Sequence, residues 1–163
     1  MIVAILIGRK GSTGLPGKNT MLIEGVPMVS WPLLAAMQTP EIDMVYVSTD
    51  DPEIIEIAER LDARIIQRPE HLAGSEALGE DAYVHAHGVI REQLAQGGRT
   101  PELYALLMAN AVTISPTLLS NGIQLLRRNP ELDSAVTVSC YNMWSPLRAR
   151  RIGASGLLEP LSL

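Results

Sequence analysis

Four glycines and three cations stand together near the amino terminus, in the segment Gly8-Arg9-Lys10-Gly11-Ser12-Thr13-Gly14-Leu15-Pro16-Gly17-Lys18-Asn19. The glycines permit positive φ and let backbone N–H groups close on a ligand, while Arg9, Lys10 and Lys18 supply positive charge. That combination suits a polyphosphate, and a loop that merely turned a corner would have no use for three cations. Two familiar phosphate loops are excluded. A Walker A loop needs glycine at position 12 and Ser or Thr at position 19, where Ser12 and Asn19 stand. The dinucleotide fingerprint needs Gly-x-Gly-x-x-Gly, but Gly8 and Gly11 are separated by two residues, Arg9 and Lys10.

Other residues could join such a site. Arg68 precedes Pro69, which biases it to an extended conformation at a strand's carboxyl end; a surface arginine without a ligand is the alternative. Ser75 suits the N-cap of a helix beginning near Glu76. Asp51, before Pro52 and Glu53, is read as an N-cap in preference to one half of a metal pair with Asp50. Asn110 ends a predicted strand, at the height where a substrate would lie. Arg148, Arg150 and Arg151 read equally as an anion site or as a solvated strand edge. His85 and His87 fall on different faces of a helix and have no metal-ligand partners at diagnostic spacing, so no metal site is predicted.

These residues need elements to position them. Apolar, β-branched runs at Ile2–Ile7, Met44–Ser48, Arg64–Gln67, Leu103–Met108 and Ala135–Ser139 predict strands, most of them buried. Helical spacing falls between them, over Pro27–Met37, Pro52–Leu61, Glu76–Leu94 and Pro116–Leu126, the last introduced by Ser115. Met28, Trp31, Leu34 and Ala35 are expected to share the inner face of the first helix. Alternation of this kind predicts an α/β fold of three layers, with a mainly parallel sheet and helices on both faces. Ligands of such sheets bind at the carboxyl ends of the strands, where the glycine-rich loop stands.

The chain has 163 residues, enough for a single domain spanning 1–163 with a real core. Hydrophobic residues make up 47% and charged residues 19%, which argues against disorder. A net charge of −5 argues against the basic field that nucleic acids require, and leaves room for a local basic pocket. The run Met1 to Ile7 is too short for a membrane span and lacks the cationic flank of a signal peptide. Cys140 is alone, which fits a reducing compartment, so a cytoplasmic location is expected.

The loop resembles the amino-terminal signature of the CMP-acylneuraminate synthetases and their CMP-Kdo relatives, with Arg9, Ser12, Gly14, Leu15, Pro16, Lys18 and Asn19 in register. Gly8 replaces the usual alanine, and Thr13 stands where many members have lysine. Further matches follow in order: Tyr46-Val47-Ser48-Thr49-Asp50-Asp51, Arg68-Pro69-Glu70-His71-Leu72-Ala73, Leu106 to Ala111, and Pro146-Leu147-Arg148. Met108 departs from the glutamine of many members.

The resemblance implies a Rossmann-like nucleotidyltransferase fold and transfer of CMP from CTP to an acidic sugar. It implies that Arg9 and Lys18 neutralise the triphosphate and the departing pyrophosphate. Lys10, Gly11 and Ser12 would help to cradle it, and Asn19, Arg68 and Ser75 would meet the nucleoside. Asn110 and Arg148 would face the sugar. Magnesium is expected with the nucleotide phosphates, and family members tend to form homodimers. The family's metal-binding aspartates come from a later part of the chain, so this sequence is expected to lack the C-terminal part of the family fold. Two other readings stay open: a catalytically incomplete nucleotide-binding module, and a transferase using UTP or GTP.

Overall fold

The amino-terminal apolar run becomes the centre of the molecule. The computed structural model describes residues 1–11, 14–74, 76–138, 150–152, 154–155 and 158–160. Its elements run β1 (Ile2–Ile7), β2 (Leu22–Ile23), β3 (Val26–Pro27), α1 (Ser30–Met37), β4 (Met44–Thr49), α2 (Pro52–Arg60) and β5 (Arg64–Gln67). A 3-10 turn at Glu70–Leu72 follows, then α3 (Gly79–Ala95), β6 (Leu103–Met108), α4 (Pro116–Arg128), β7 (Arg150–Ile152) and β8 (Leu158–Pro160).

Four strands form a parallel sheet in the order β5-β4-β1-β6. β1 lies inside, with Ile5 opposite Tyr46 of β4 on one edge and Leu106 of β6 on the other. Because side chains alternate along a strand, β1 serves two cores. Ala4 and Leu6 pack with Val29, Leu33, Ala36, Ile54 and Ala58, so α1 and α2 cover one face. Val3 and Ile5 pack with Ala86, Ile90 and Leu94, so α3 covers the other. The expected three-layer α/β architecture with a parallel sheet is therefore present. The chain steps outward from β1 to β4 to β5, then α3 crosses the opposite face and β6 returns to the far side of β1. That reversal of strand order leaves a crevice beyond the carboxyl ends of β1 and β6.

Caps agree with the sequence in two places. The Glu53 amide donates to Asp51 Oδ1 at 3.0 Å, and the Leu118 amide donates to Ser115 Oγ at 3.3 Å. Elsewhere the structure differs. Pro27 does not open α1; it pairs with Leu22 in a two-stranded hairpin whose turn residues, Glu24 and Gly25, have φ of 52° and 76°. Two positive φ values make a primed turn, whose twist matches the flanking strands. The buried face of α1 is Ser30, Leu33 and Ala36 with Pro32 and Ala35, while Trp31 and Leu34 are only half-buried. An apolar residue at nearly every position left sequence spacing without power to choose a face.

α3 begins at Gly79 with Leu78 at its N-cap position, three residues later than the start expected near Glu76; Ser75, the expected cap, lies outside the described residues. Residues 135–138 of the strand expected at Ala135–Ser139 are irregular, with Val136 and Val138 80% and 88% exposed, and residue 139 lies outside the described residues. Their alternation needs a neighbouring strand and a covering layer, and among the described residues they have neither. β6 is less buried than a central strand, with Leu106 and Met108 both 55% exposed, because it is the edge of the described sheet.

Leu6, fully buried between β1 and the α1 and α2 layer, is the cleanest probe of this core. Leu6→Ala is expected to lower unfolding free energy by about 2–5 kcal/mol. Urea denaturation followed by circular dichroism checks this; a loss under about 1 kcal/mol would mean that the site collapses freely around the truncated side chain.

Candidate nucleotide site

The crevice holds a cavity of about 240 Å³, lined by Ile7, Gly8 and Arg9 after β1, Lys18 and Asn19 from the same loop, and Arg68 after β5. Ala77, Leu78 and Gly79 at the start of α3 and Met108, Ala109 and Asn110 at the end of β6 complete it. Backbone bonds that continue the sheet past its strands hold the walls. The Gly8 amide donates to Ser48 O at 3.2 Å, the Ala109 amide to Ile7 O at 3.0 Å, and the Arg68 amide to Thr49 O at 3.0 Å.

Gly8 is where this closeness constrains the residue type. A Cβ there would lie 2.9 Å from Ala109 Cβ and 3.0 Å from Ile54 Cδ1, so a side chain at this position would force its neighbours to shift. Asn19 is 9% exposed and its Nδ2 donates to Arg9 O at 3.3 Å, which ties the end of the loop to its beginning. Between them the loop bends through Gly11 and Gly17, at φ of 71° and 68°, values that an L side chain rarely adopts.

Arg68 is 5% exposed, an uncommon burial for a guanidinium. Its Nη2 donates to Ser48 O at 2.7 Å, and its Nε has no hydrogen-bond partner among the described residues. Burial pulls its proton affinity below the ordinary arginine value, Arg9 pulls the same way, and Asp50 opposes both. A buried cation with an unused donor on a cavity wall, repelled by a second cation, favours occupation by an anion. Tyr83 of α3 interacts electrostatically with Arg68. Its hydroxyl donates to Leu107 O at 2.7 Å, and burial pushes its phenol up to about 12.

The structure thus brings Arg9, Lys18, Asn19, Arg68 and Asn110 to one cavity. Lys10 and Gly11 are exposed and outside its lining; the Lys10 amide instead donates to Asp50 Oδ1 at 2.9 Å. Ser12, Ser75 and Arg148 lie outside the described residues, as does Cys140. Arg150 and Arg151 belong to β7, paired antiparallel with β8. Asp50, which accepts from the Lys10 amide, and Tyr83, which donates to Leu107 O, are residues beside the site that sequence reading leaves without a role. Asp50 stood next to the better cap, and no spacing pattern marks a helical tyrosine as the partner of a distant carbonyl.

The donor set does not fit a protein-held metal ion: the cavity's side chains are cationic, amide or apolar, and no group of three or more His, Cys, Asp or Glu among the described residues could hold one. His87 instead meets Tyr104 edge to face, with ring centroids 4.8 Å apart. No helix among the described residues is long and apolar enough to cross a membrane.

A parallel α/β sheet flanked by helices, with a cationic cavity at its switch point, places the chain in the Rossmann-like class of folds. The family described as cytidylyltransferase matches residues 3–139, and the chain belongs to that family. It is 39% identical over 163 residues to the N-acylneuraminate cytidylyltransferase of Oncorhynchus mykiss, a match covering 99% of this chain and 35% of that one. With the N-acylneuraminate cytidylyltransferase of Escherichia coli O18:K1:H7 it shares 28% identity over 141 residues, 86% of this chain and 32% of the relative. Among solved structures it is similar to a CMP:2-keto-3-deoxy-manno-octonic acid synthetase complexed with CTP. The TM-score is 0.62 at 26% identity, covering 80% of this chain and 49% of that one. The chain therefore spans about a third of the length of these two curated relatives and about half of the solved one.

Two outcomes follow from this geometry. Gly8→Ala is expected to cost about 1–3 kcal/mol of stability through overpacking, and Ala109→Gly in the same chain to recover part of it, as measured by urea melts of the single and double variants. Equal losses in both would place the strain elsewhere. Burial raises the folded-state pKa of Tyr83 from its ordinary 10.0 to about 12, so its contribution is complete below pH 10 and is lost as pH rises toward 12. The difference in urea midpoint between wild type and Tyr83→Phe should therefore shrink over that interval; a constant difference contradicts it.

Proposed function

We propose that this chain binds CTP and transfers its CMP to the anomeric hydroxyl of an acidic sugar of the nonulosonic or Kdo type, releasing pyrophosphate. The observation that carries the reading is the convergence of Arg9, Lys18 and Arg68 on one cavity at the switch point, in an otherwise acidic chain of the cytidylyltransferase family. The names of the relatives and the CTP complex of the solved one support the choice of nucleotide and sugar class.

In this reading Arg9 and Lys18 face the β- and γ-phosphates, with Ser12 beside them, while Lys10 and Gly11 stay outside the cavity. Asn19, Arg68 and Ser75 meet the nucleoside, and Asn110 and Arg148 the sugar. The sugar oxygen attacks the α-phosphorus, a new P–O bond forms, the bond from the α-phosphorus to the β-phosphate bridge breaks, and the hydroxyl proton passes to solvent. Positioning and electrostatics supply most of the acceleration, because charge moves onto the departing pyrophosphate where fixed cations already stand. Magnesium is proposed as the companion of the nucleotide's phosphates, not as an ion held by the described side chains. The reading also includes the cytoplasm as its setting, a homodimer as its assembly, and a CMP-sugar destined for cell-surface polysaccharide.

Pyrophosphate release, followed with CTP, magnesium and a panel of nonulosonic acids and Kdo, tests the transfer. Turnover is expected with at least one sugar, and Lys18→Ala is expected to lower it roughly 100-fold with the fold intact. Calorimetric CTP binding without release from any sugar would overturn the transfer and leave a binding module. Release that is faster with UTP or GTP would overturn the choice of base.

A further inference from the structure

We propose that Asp50 is a positioning residue for the glycine-rich loop: its carboxylate, acting through the Lys10 amide, holds the loop in the arrangement that sets Arg9 on the cavity beside Arg68. The proposal rests on the reading of that cavity as a triphosphate site.

The loop leaves β1 at Gly8 and must carry Arg9 onto the cavity wall while Lys10 turns away to solvent. Each of the three residues is fastened at a different point. The Gly8 amide donates to Ser48 O, Arg9 O accepts from Asn19 Nδ2, and the Lys10 amide donates to Asp50 Oδ1 at 2.9 Å. The last of these alone uses a charged side chain, from a residue 40 positions away, and it falls just before Gly11, where the chain turns into the left-handed region. An exposed loop has little packing to hold it, so one charge-assisted hydrogen bond at its turning point has a large share in its placement.

Asp50 is itself well placed for this work. The Asp51 amide donates to Thr49 Oγ1 at 3.0 Å, and the Asp51 carboxylate is occupied in capping α2, so the turn from which Asp50 projects is fixed on both sides. Its charge also acts on the cavity, since Asp50 and Arg9 influence Arg68 in opposite senses. Before any anion arrives, the carboxylate offsets the repulsion between the two guanidinium groups. Geometry and charge are thus separable contributions: asparagine keeps an acceptor for the Lys10 amide and removes the charge, and alanine removes both.

The test compares wild type, Asp50→Asn and Asp50→Ala by NMR hydrogen exchange at the Lys10 amide and by calorimetry with inorganic tripolyphosphate and with CTP. The Lys10 amide should be protected in wild type and Asp50→Asn and exchange about tenfold faster in Asp50→Ala. Tripolyphosphate should bind Asp50→Asn no more weakly than wild type, since a negative charge has left a cationic site, and Asp50→Ala about tenfold more weakly. Wild-type exchange and affinity in Asp50→Ala overturn the proposal, and so does an equal loss in both variants, which would make charge and not the hydrogen bond the cause. Should wild type bind neither tripolyphosphate nor CTP, the nucleotide reading fails, and the exchange rates at Lys10 decide the role of Asp50 on their own.

Discussion

The site depends on β1 being paired along both edges. A fully buried strand with parallel neighbours on either side must satisfy its backbone groups in both directions, and the ladders run one residue past its end, to Ser48 O through the Gly8 amide and from Ile7 O to the Ala109 amide. Those two bonds fix how closely the loop and the end of β6 approach. They also explain why a side chain at position 8 would crowd Ala109 and Ile54. The reversal of strand order around β1 then opens the crevice, since α1 and α2 lie on one face and α3 on the other.

Electrostatics build on that frame. An acidic chain spends few cations, and it sets Arg9, Lys18 and Arg68 around one small volume. Arg68 is held there by the Ser48 carbonyl, and Thr49 O fixes its backbone, so the end of β4 serves both walls of the cavity. With cations already oriented and partly desolvated, a bound polyphosphate gains interaction without reorganising the protein, which is the condition for efficient stabilisation of charge in transfer chemistry. The same logic gives Tyr83 and Asp50 their importance. Neither lines the cavity, yet one ties α3 to β6 and the other ties the loop to β4.

Much of this was legible in the sequence, for physical reasons. β-branched runs separated by amphipathic segments specify a parallel α/β sheet, and a glycine-rich cationic stretch after the first strand puts a loop with positive charge at its carboxyl end. Asp51 and Ser115 announced helix starts because capping is a local interaction. What failed was information held by tertiary context. The face buried by α1 is chosen by the sheet, not by its nearly uniform apolar sequence. Exposure of Leu106, Met108, Val136 and Val138 depends on which strands stand beside them. The β2–β3 hairpin carries no strong local signal, because Glu24 takes a positive φ of 52° that its residue type rarely adopts, and Pro27 by itself reads as the first turn of a helix. Burial of Arg68 could be anticipated only from its family resemblance, since its partners come from a strand 20 residues earlier.

The most direct measurement of the central claim is a crystal structure of this chain grown with CTP. The account predicts triphosphate density against Arg9 and Lys18, with the loop still closed by Asn19 and the nucleoside beside Arg68 in the crevice beyond β1 and β6. Triphosphate bound at another surface, with this cavity holding only solvent, would contradict it.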